Sequence, residues 1–178
     1  MREKYVDTLA KLYEYATTVY SKNQYTQWYN TKTGGYTYSS FKGKCDSLSK
    51  KLTQYGIGAG DKVAILSQSM PNWSVAFFSI VPFGRIAIPI LPDSSENEVT
   101  NILQHSESKV IFVSQKLASK VSQECRDKLT LVIDIETFEV IQADDDKFTC
   151  DGRAAVPTPD DIAAIIYTSG TTGSAKGV

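Results

Sequence analysis

From residue 62 to residue 133, short and almost wholly apolar runs alternate with segments of helical pattern, and few folds accept that alternation. Lys62-Val-Ala-Ile-Leu66, Ile86 to Leu91, Val110-Ile-Phe-Val113 and Leu129 to Ile133 are rich in β-branched residues and too short for helices. Between them, Pro71 to Val81 begins with a proline suited to a first helical turn, and Ser95-Glu-Asn-Glu98 has the capping-box form for a helix reaching Gln104. Leu117, Val121 and Cys125 fall at the spacing of a further helix. Strands apolar on both sides need cover on both sides, and crossover helices provide it. The expected fold is therefore α/β, a doubly wound, mostly parallel sheet with helices on both faces.

Before this core, Tyr5, Leu9, Leu12, Ala16 and Val19 recur at helical spacing and predict an amphipathic first helix packed through that stripe. Thr26 to Asn30 and Tyr36 to Tyr38 flank Gly34-Gly35 as the arms of a hairpin. Phe41, Cys45, Leu48, Leu52 and Tyr55 mark one face of a helix, with Thr37 or Ser39 to cap it and Gly56 to end it. After Asp134 the pattern fades. Asp144-Asp-Asp146 is expected to be a solvated loop, not a metal site, because adjacent carboxylates repel and point apart. Three parts are expected: a helix over 1–24, an α/β subdomain over 25–161, and a strand with a loop over 162–178.

Composition narrows the partners. The 178 residues carry a formal net charge of -1 with 42% hydrophobic and 22% charged residues, an ordinary globular balance with no basic cluster for nucleic acid. Cys45, Cys125 and Cys150 show no CxxC spacing, and with His105 as the only histidine no Cys/His metal site is expected. No secretory signal or spanning segment is evident, which reads as a cytoplasmic protein with reduced thiols. His105, near a predicted helix end, is expected to serve the helix dipole.

Thr168-Ser-Gly-Thr-Thr-Gly-Ser-Ala-Lys-Gly-Val178 has the make-up of a phosphate cradle: glycines let the backbone N–H groups converge, hydroxyls add donors, and a lysine adds charge. It is not a Walker loop, since Ala175 stands at the second glycine and Gly177 at the hydroxyl position. The apolar Ile162-Ala-Ala-Ile-Ile-Tyr167 before it reads as a buried strand delivering the loop to the carboxyl edge of the sheet, where open α/β sheets bind ligands. The run Tyr167 to Val178 resembles the signature of the adenylate-forming family, which includes acyl-CoA synthetases, luciferases and peptide-synthetase adenylation domains. One departure is Ala175, where the family usually has proline. Gly56-Ile-Gly-Ala-Gly-Asp-Lys-Val63, Pro71-Asn-Trp73 and Ile88 to Ser95 extend the resemblance over about residues 25 to 178, most like long-chain fatty acid–CoA ligases.

This resemblance implies ATP-dependent activation of a carboxylic acid to acyl-AMP, release of pyrophosphate, and transfer to coenzyme A. It implies that Thr168, Ser169, Thr171 and Thr172 donate to phosphate oxygens or approach Mg²⁺, that Gly170 and Gly173 admit close backbone contact, and that Lys176 steadies the leaving pyrophosphate. No nucleophile, general base or certain metal ligand is expected among these residues. The family's adenine, ribose and hinge motifs have no counterpart here, so the chain is expected to be an amino-terminal fragment, inactive alone, with Val178 opening a strand whose partner is missing. Peripheral membrane association is expected only if the acid is long-chain. Two alternatives stay open: a non-catalytic nucleotide-binding or interaction module, and an adenylating enzyme whose acceptor is a carrier protein.

Overall fold

The computed structural model describes residues 6–28, 34–144, 146, 152–168 and 176–178. Its centre is a five-stranded sheet of β3 (Lys62–Leu66), β4 (Ile86–Ile90), β5 (Val110–Val113), β6 (Leu131–Asp134) and β7 (Val140–Ala143), in the order β4-β3-β5-β6-β7. Pairings among β3, β4, β5 and β6 are parallel, and β7 joins antiparallel at the edge. Because successive side chains point to opposite faces, each strand serves two cores. Val63, Ile65, Val110, Phe112, Leu131 and Ile133 pack on one face, whereas Ala64, Leu66, Ile111, Val113 and Val132 pack on the other. The first core is closed by α1 (Leu9–Val19), α2 (Tyr38–Gln54) and α3 (Pro71–Ile80). The second is closed by α4 (Glu96–Ser106), a 3-10 segment (Gln115–Lys120) and α5 (Gln123–Lys128). The doubly wound architecture is the expected one.

Local chemistry sets the helix ends. Ser95 Oγ accepts from the Glu98 amide while Glu98 returns a carboxylate to the Ser95 amide and hydroxyl. Thr37 and Ser40 form the same reciprocal cap at α2, and Pro71 occupies the first position of α3. Gly56, at φ 75°, turns the chain out of α2.

Several expectations are corrected. The buried stripe of α1 is Leu9, Tyr13 and Thr17 rather than the line through Leu12 and Val19, which are 42% and 54% exposed. The aromatic ring decides the rotation: Tyr13 packs against Phe41, Phe78 and Phe83, and its hydroxyl donates to Asp46 at 2.8 Å. Tyr5 lies outside the described residues, as do Asn30, Asp145 and Cys150. The hairpin pairs β1 (Gln24–Thr26) with β2 (Tyr36–Thr37), earlier in the first arm than expected, and its second arm stops at Thr37 because that residue caps α2 and Tyr38 is already helical. Leu117, Val121 and Cys125 do share one core, but on two short elements, since the Ser122 hydroxyl accepts from the Cys125 amide and starts a new helix. The sixth strand begins at Leu131, and β7 lies in a stretch expected to be irregular.

Gly58 fixes the return path of the chain. A Cβ there would lie 2.9 Å from the Arg153 amide nitrogen and 3.1 Å from Gly152 Cα, where the Ala59 amide donates to Arg153 O. Gly58→Ala is expected to lower the unfolding free energy by about 1–3 kcal/mol. Gly43→Ala, inside α2 with nothing within 4 Å of the added carbon, is expected to raise it by about 0.5–1 kcal/mol. Urea midpoints of the two variants check both signs.

Candidate functional site

All the parallel strands end at one edge, and the connections diverge there. The chain leaves β3 over the first core to reach β4, and leaves β5 over the second core to reach β6, so a switch point lies between β3 and β5. Polar groups are knitted across this edge. Ser114 Oγ donates to Gln68 Oε1 at 2.7 Å, Gln115 Nε2 donates to Asp134 Oδ2 at 3.0 Å, and Asn72 Nδ2 donates to the Ile135 and Glu136 carbonyls. Tyr36 OH reaches Asn72 Oδ1 at 2.6 Å and fastens the hairpin to the same edge. Lys120 Nζ donates to the carbonyls of Pro92 and Ser94, closing the loop after β4.

Residues 163–165 run beside β4, outside the five-stranded sheet. The Ala87 amide donates to Ala163 O, the Ile165 amide donates to Ala87 O, and Ala87 and Ala164 form a parallel bridge. This course carries the chain toward the carboxyl edge. There β8 (Tyr167–Thr168) pairs antiparallel with β9 (Lys176–Gly177), with Thr168 opposite Lys176. Thr168 and the backbone of Lys176 therefore form the mouth of a hairpin. The loop residues Ser169, Gly170, Thr171, Thr172 and Gly173 lie outside the described residues.

Two expectations change here. Ile162 to Tyr167 is not a uniformly buried strand: Ile162 is 60% and Ile166 57% exposed, whereas Ile165 packs against the second core and Tyr167 belongs to it, since successive side chains point to opposite faces. Val178 does have a partner, since it exchanges both backbone hydrogen bonds with Ile166 at 2.8 and 2.9 Å. Antiparallel return of the chain, not a new strand of the parallel sheet, satisfies its backbone.

Tyr167 is the buried member of the stem, at 8% exposure, and its ring joins the second core. Burial pushes its phenol pKa up, which keeps the hydroxyl protonated. That hydroxyl lies 2.8 Å from His105 Nδ1, with the two rings edge to face at 5.6 Å. His105 thus bonds the root of the loop, a role that local sequence could not reveal across 62 positions. Asp144 is half-buried and Asp146 exposed. Among the described residues no helix is long and apolar enough to cross a membrane.

The chain is 30% identical over 135 residues to tyrocidine synthase 2 of Brevibacillus parabrevis, matching 76% of this chain and 4% of that protein. It is 29% identical over 137 residues to the long-chain-fatty-acid–CoA ligase FadD15 of Mycobacterium bovis, matching 71% of this chain and 23% of the ligase. The inhibitor-bound N-terminal domain of FACL13 from Mycobacterium tuberculosis superposes with a TM-score of 0.78 at 25% identity, covering 97% of this chain and 44% of that one. The chain thus spans less than half the length of each of these proteins. The profile of AMP-binding enzymes matches residues 15–178, and the chain belongs to that family.

Proposed function

We propose that the protein to which this chain contributes activates a carboxylic acid, a long-chain fatty acid in our reading, as acyl-AMP and transfers the acyl group to coenzyme A. The observation that carries this is the antiparallel pairing of residues 166–168 with 176–178 at the carboxyl edge of the sheet, which brackets the family's hydroxyl- and glycine-rich run in the sequence. A carboxylate oxygen attacks the α-phosphorus of ATP, the bond from that phosphorus to the bridging oxygen breaks, and pyrophosphate leaves. Thiol attack on the acyl carbon then expels AMP, and the thiol proton goes to solvent. The carboxylate is ionised at neutral pH, so the first step needs no general base.

In this proposal Thr168, Ser169, Thr171 and Thr172 donate to the β- and γ-phosphates, Gly170 and Gly173 let the backbone approach, and Lys176 steadies the departing charge. Mg²⁺, bound with the nucleotide, would neutralise phosphate oxygens near these hydroxyls. Alignment with a ligase for long-chain acids supports the substrate class. Alignment with tyrocidine synthase 2 favours a second reading, in which the acceptor is a carrier-protein thiol.

The test is ATP–pyrophosphate exchange by the product of the complete reading frame, with acids from acetate to palmitate, benzoate and amino acids. Exchange that depends on palmitate, followed by formation of palmitoyl-CoA, is the expected result. Exchange with an amino acid and no thioester with coenzyme A would replace it with the carrier-protein reading. No exchange with any acid would leave a nucleotide-binding module.

A further inference from the structure

We propose that His105 is a positioning residue for the phosphate loop, acting through Tyr167. The inference rests on the adenylate-forming reading. The stem that flanks the loop sequence has three cross-strand pairs, Ile166 with Val178, Tyr167 with Gly177 and Thr168 with Lys176. Ile166 and Thr168 face away from the cores and are exposed, so Tyr167 is the side chain that roots the stem. Its ring has two close neighbours. One is the His105 imidazole of α4, edge to face with it and bonded to its hydroxyl. The other is the return strand, so close that a Cβ at Gly177 would be 2.8 Å from Ile165 Cγ2 and 3.3 Å from Tyr167 Cζ.

A ring with these neighbours can still slide along its own plane. The bond from its hydroxyl to His105 Nδ1 fixes that remaining freedom, and with it the height of Thr168 and Lys176 above the sheet edge. Phosphate binding needs several donors aimed at one point, so a stem free to shift spends less time in the binding geometry and the apparent affinity falls by that fraction. The acid does not bind to these donors, so its apparent affinity should be insensitive to the same shift. Neutral His105 can accept from the Tyr167 hydroxyl or donate to it, and an asparagine amide can do either at a similar position.

The experiment compares Tyr167→Phe, His105→Ala, the double variant and His105→Asn in the product of the complete reading frame. In pyrophosphate exchange, Tyr167→Phe and His105→Ala are each expected to raise the KM for ATP by roughly three- to tenfold, the range one neutral hydrogen bond sustains, with the KM for the acid unchanged. The double variant should be no worse than either single change, and His105→Asn should stay within about twofold of the unaltered protein. Amide hydrogen exchange without ligand gives a second readout, in which Tyr167→Phe should speed exchange at Ile166 and Val178 while the amides of β3 and β5 hold.

An unmoved KM for ATP, or effects that multiply in the double variant, would overturn the inference while the enzyme reading stands. If the unaltered protein exchanges no pyrophosphate with any acid, the enzyme reading fails. The amides of Ile166 and Val178 then decide the clasp alone, and unchanged protection in Tyr167→Phe would refute it.

Discussion

Arg85→Ala is expected to lower the unfolding free energy by about 3–5 kcal/mol, more than the loss of any one helix cap in this fold should cost. Arg85 has no exposed surface, and its guanidinium donates to Ile57 O at 3.0 Å, Ser49 Oγ at 2.9 Å, Ser49 O at 3.3 Å and Thr53 Oγ1 at 2.7 Å. Among the described residues no carboxylate forms a direct ion pair with it. Burial holds its pKa down to about 10, and the field of Asp61 opposes that shift, so the group stays charged at neutral pH. The acceptors belong to the last turns of α2 and to the turn after it, where a cation also meets the negative end of the helix dipole.

Truncation would open a void beside these oxygens and take a donor from each, though Thr53 Oγ1 still donates to Ser49 O at 3.2 Å. Each unsatisfied acceptor costs about 1–3 kcal/mol, and relief of the buried charge offsets part of the sum. Arg85→Met separates the contributions because it fills much of the space without donors, and it should recover roughly 1–2 kcal/mol of the loss. Urea melts followed by the fluorescence of Trp73, which stacks on Phe77, measure both variants. A loss below about 1 kcal/mol for Arg85→Ala would show that water replaces the guanidinium freely. Arg85 also stands just before β4, whose Ala87 holds residues 163–165, so a loosened Arg85 should weaken the approach to the β8–β9 pair as well.

The parts of this fold that are legible in the sequence are those where one local rule acts without competition. Val63 to Leu66 and Val110 to Val113 are buried on both faces, so an unbroken apolar run is enough to find them. Ser95 with Glu98 closes a ring whose every atom is near in sequence. The failures lie where a distant partner decides. In α1, Leu12 and Val19 fit a helical stripe as well as Tyr13 does, but only Tyr13 meets Asp46 and the Phe41, Phe78 and Phe83 rings. In β7, Ile141 points outward at 50% exposure, so the apolar order runs against the burial order and hides an edge strand.

The candidate site divides in the same way. Its proposed phosphate loop is a reading from sequence alone, possible because phosphate chemistry calls for particular residue types next to one another in the chain, and residues 169–175 lie outside the described residues. In the sequence Arg85 is a mere interruption of an apolar stretch, and His105 a helix-end residue. Their partners at Ser49, Thr53, Ile57 and Tyr167 lie far along the chain, and a contact brought together by tertiary packing leaves no local pattern.

Lys176→Ala is expected to reduce acid-dependent pyrophosphate exchange by about 10²–10³-fold while leaving the urea midpoint unchanged. The two halves of that expectation come from different parts of the residue. The backbone of Lys176 completes the stem opposite Thr168, and alanine keeps that backbone pairing. The ammonium is a compact charge placed, in our proposal, where negative charge gathers as pyrophosphate departs, so its removal raises the barrier more than it weakens the ground state. The deficit should therefore appear in kcat as well as in the KM for ATP, unlike that of His105→Ala, which should appear in KM for ATP. Lys176→Arg keeps the charge but spreads it over a planar fork, and partial recovery, within about tenfold of the unaltered rate, is expected. If Lys176→Ala stays within about threefold, the hydroxyls and Mg²⁺ hold the leaving group without the lysine, and its proposed role is wrong.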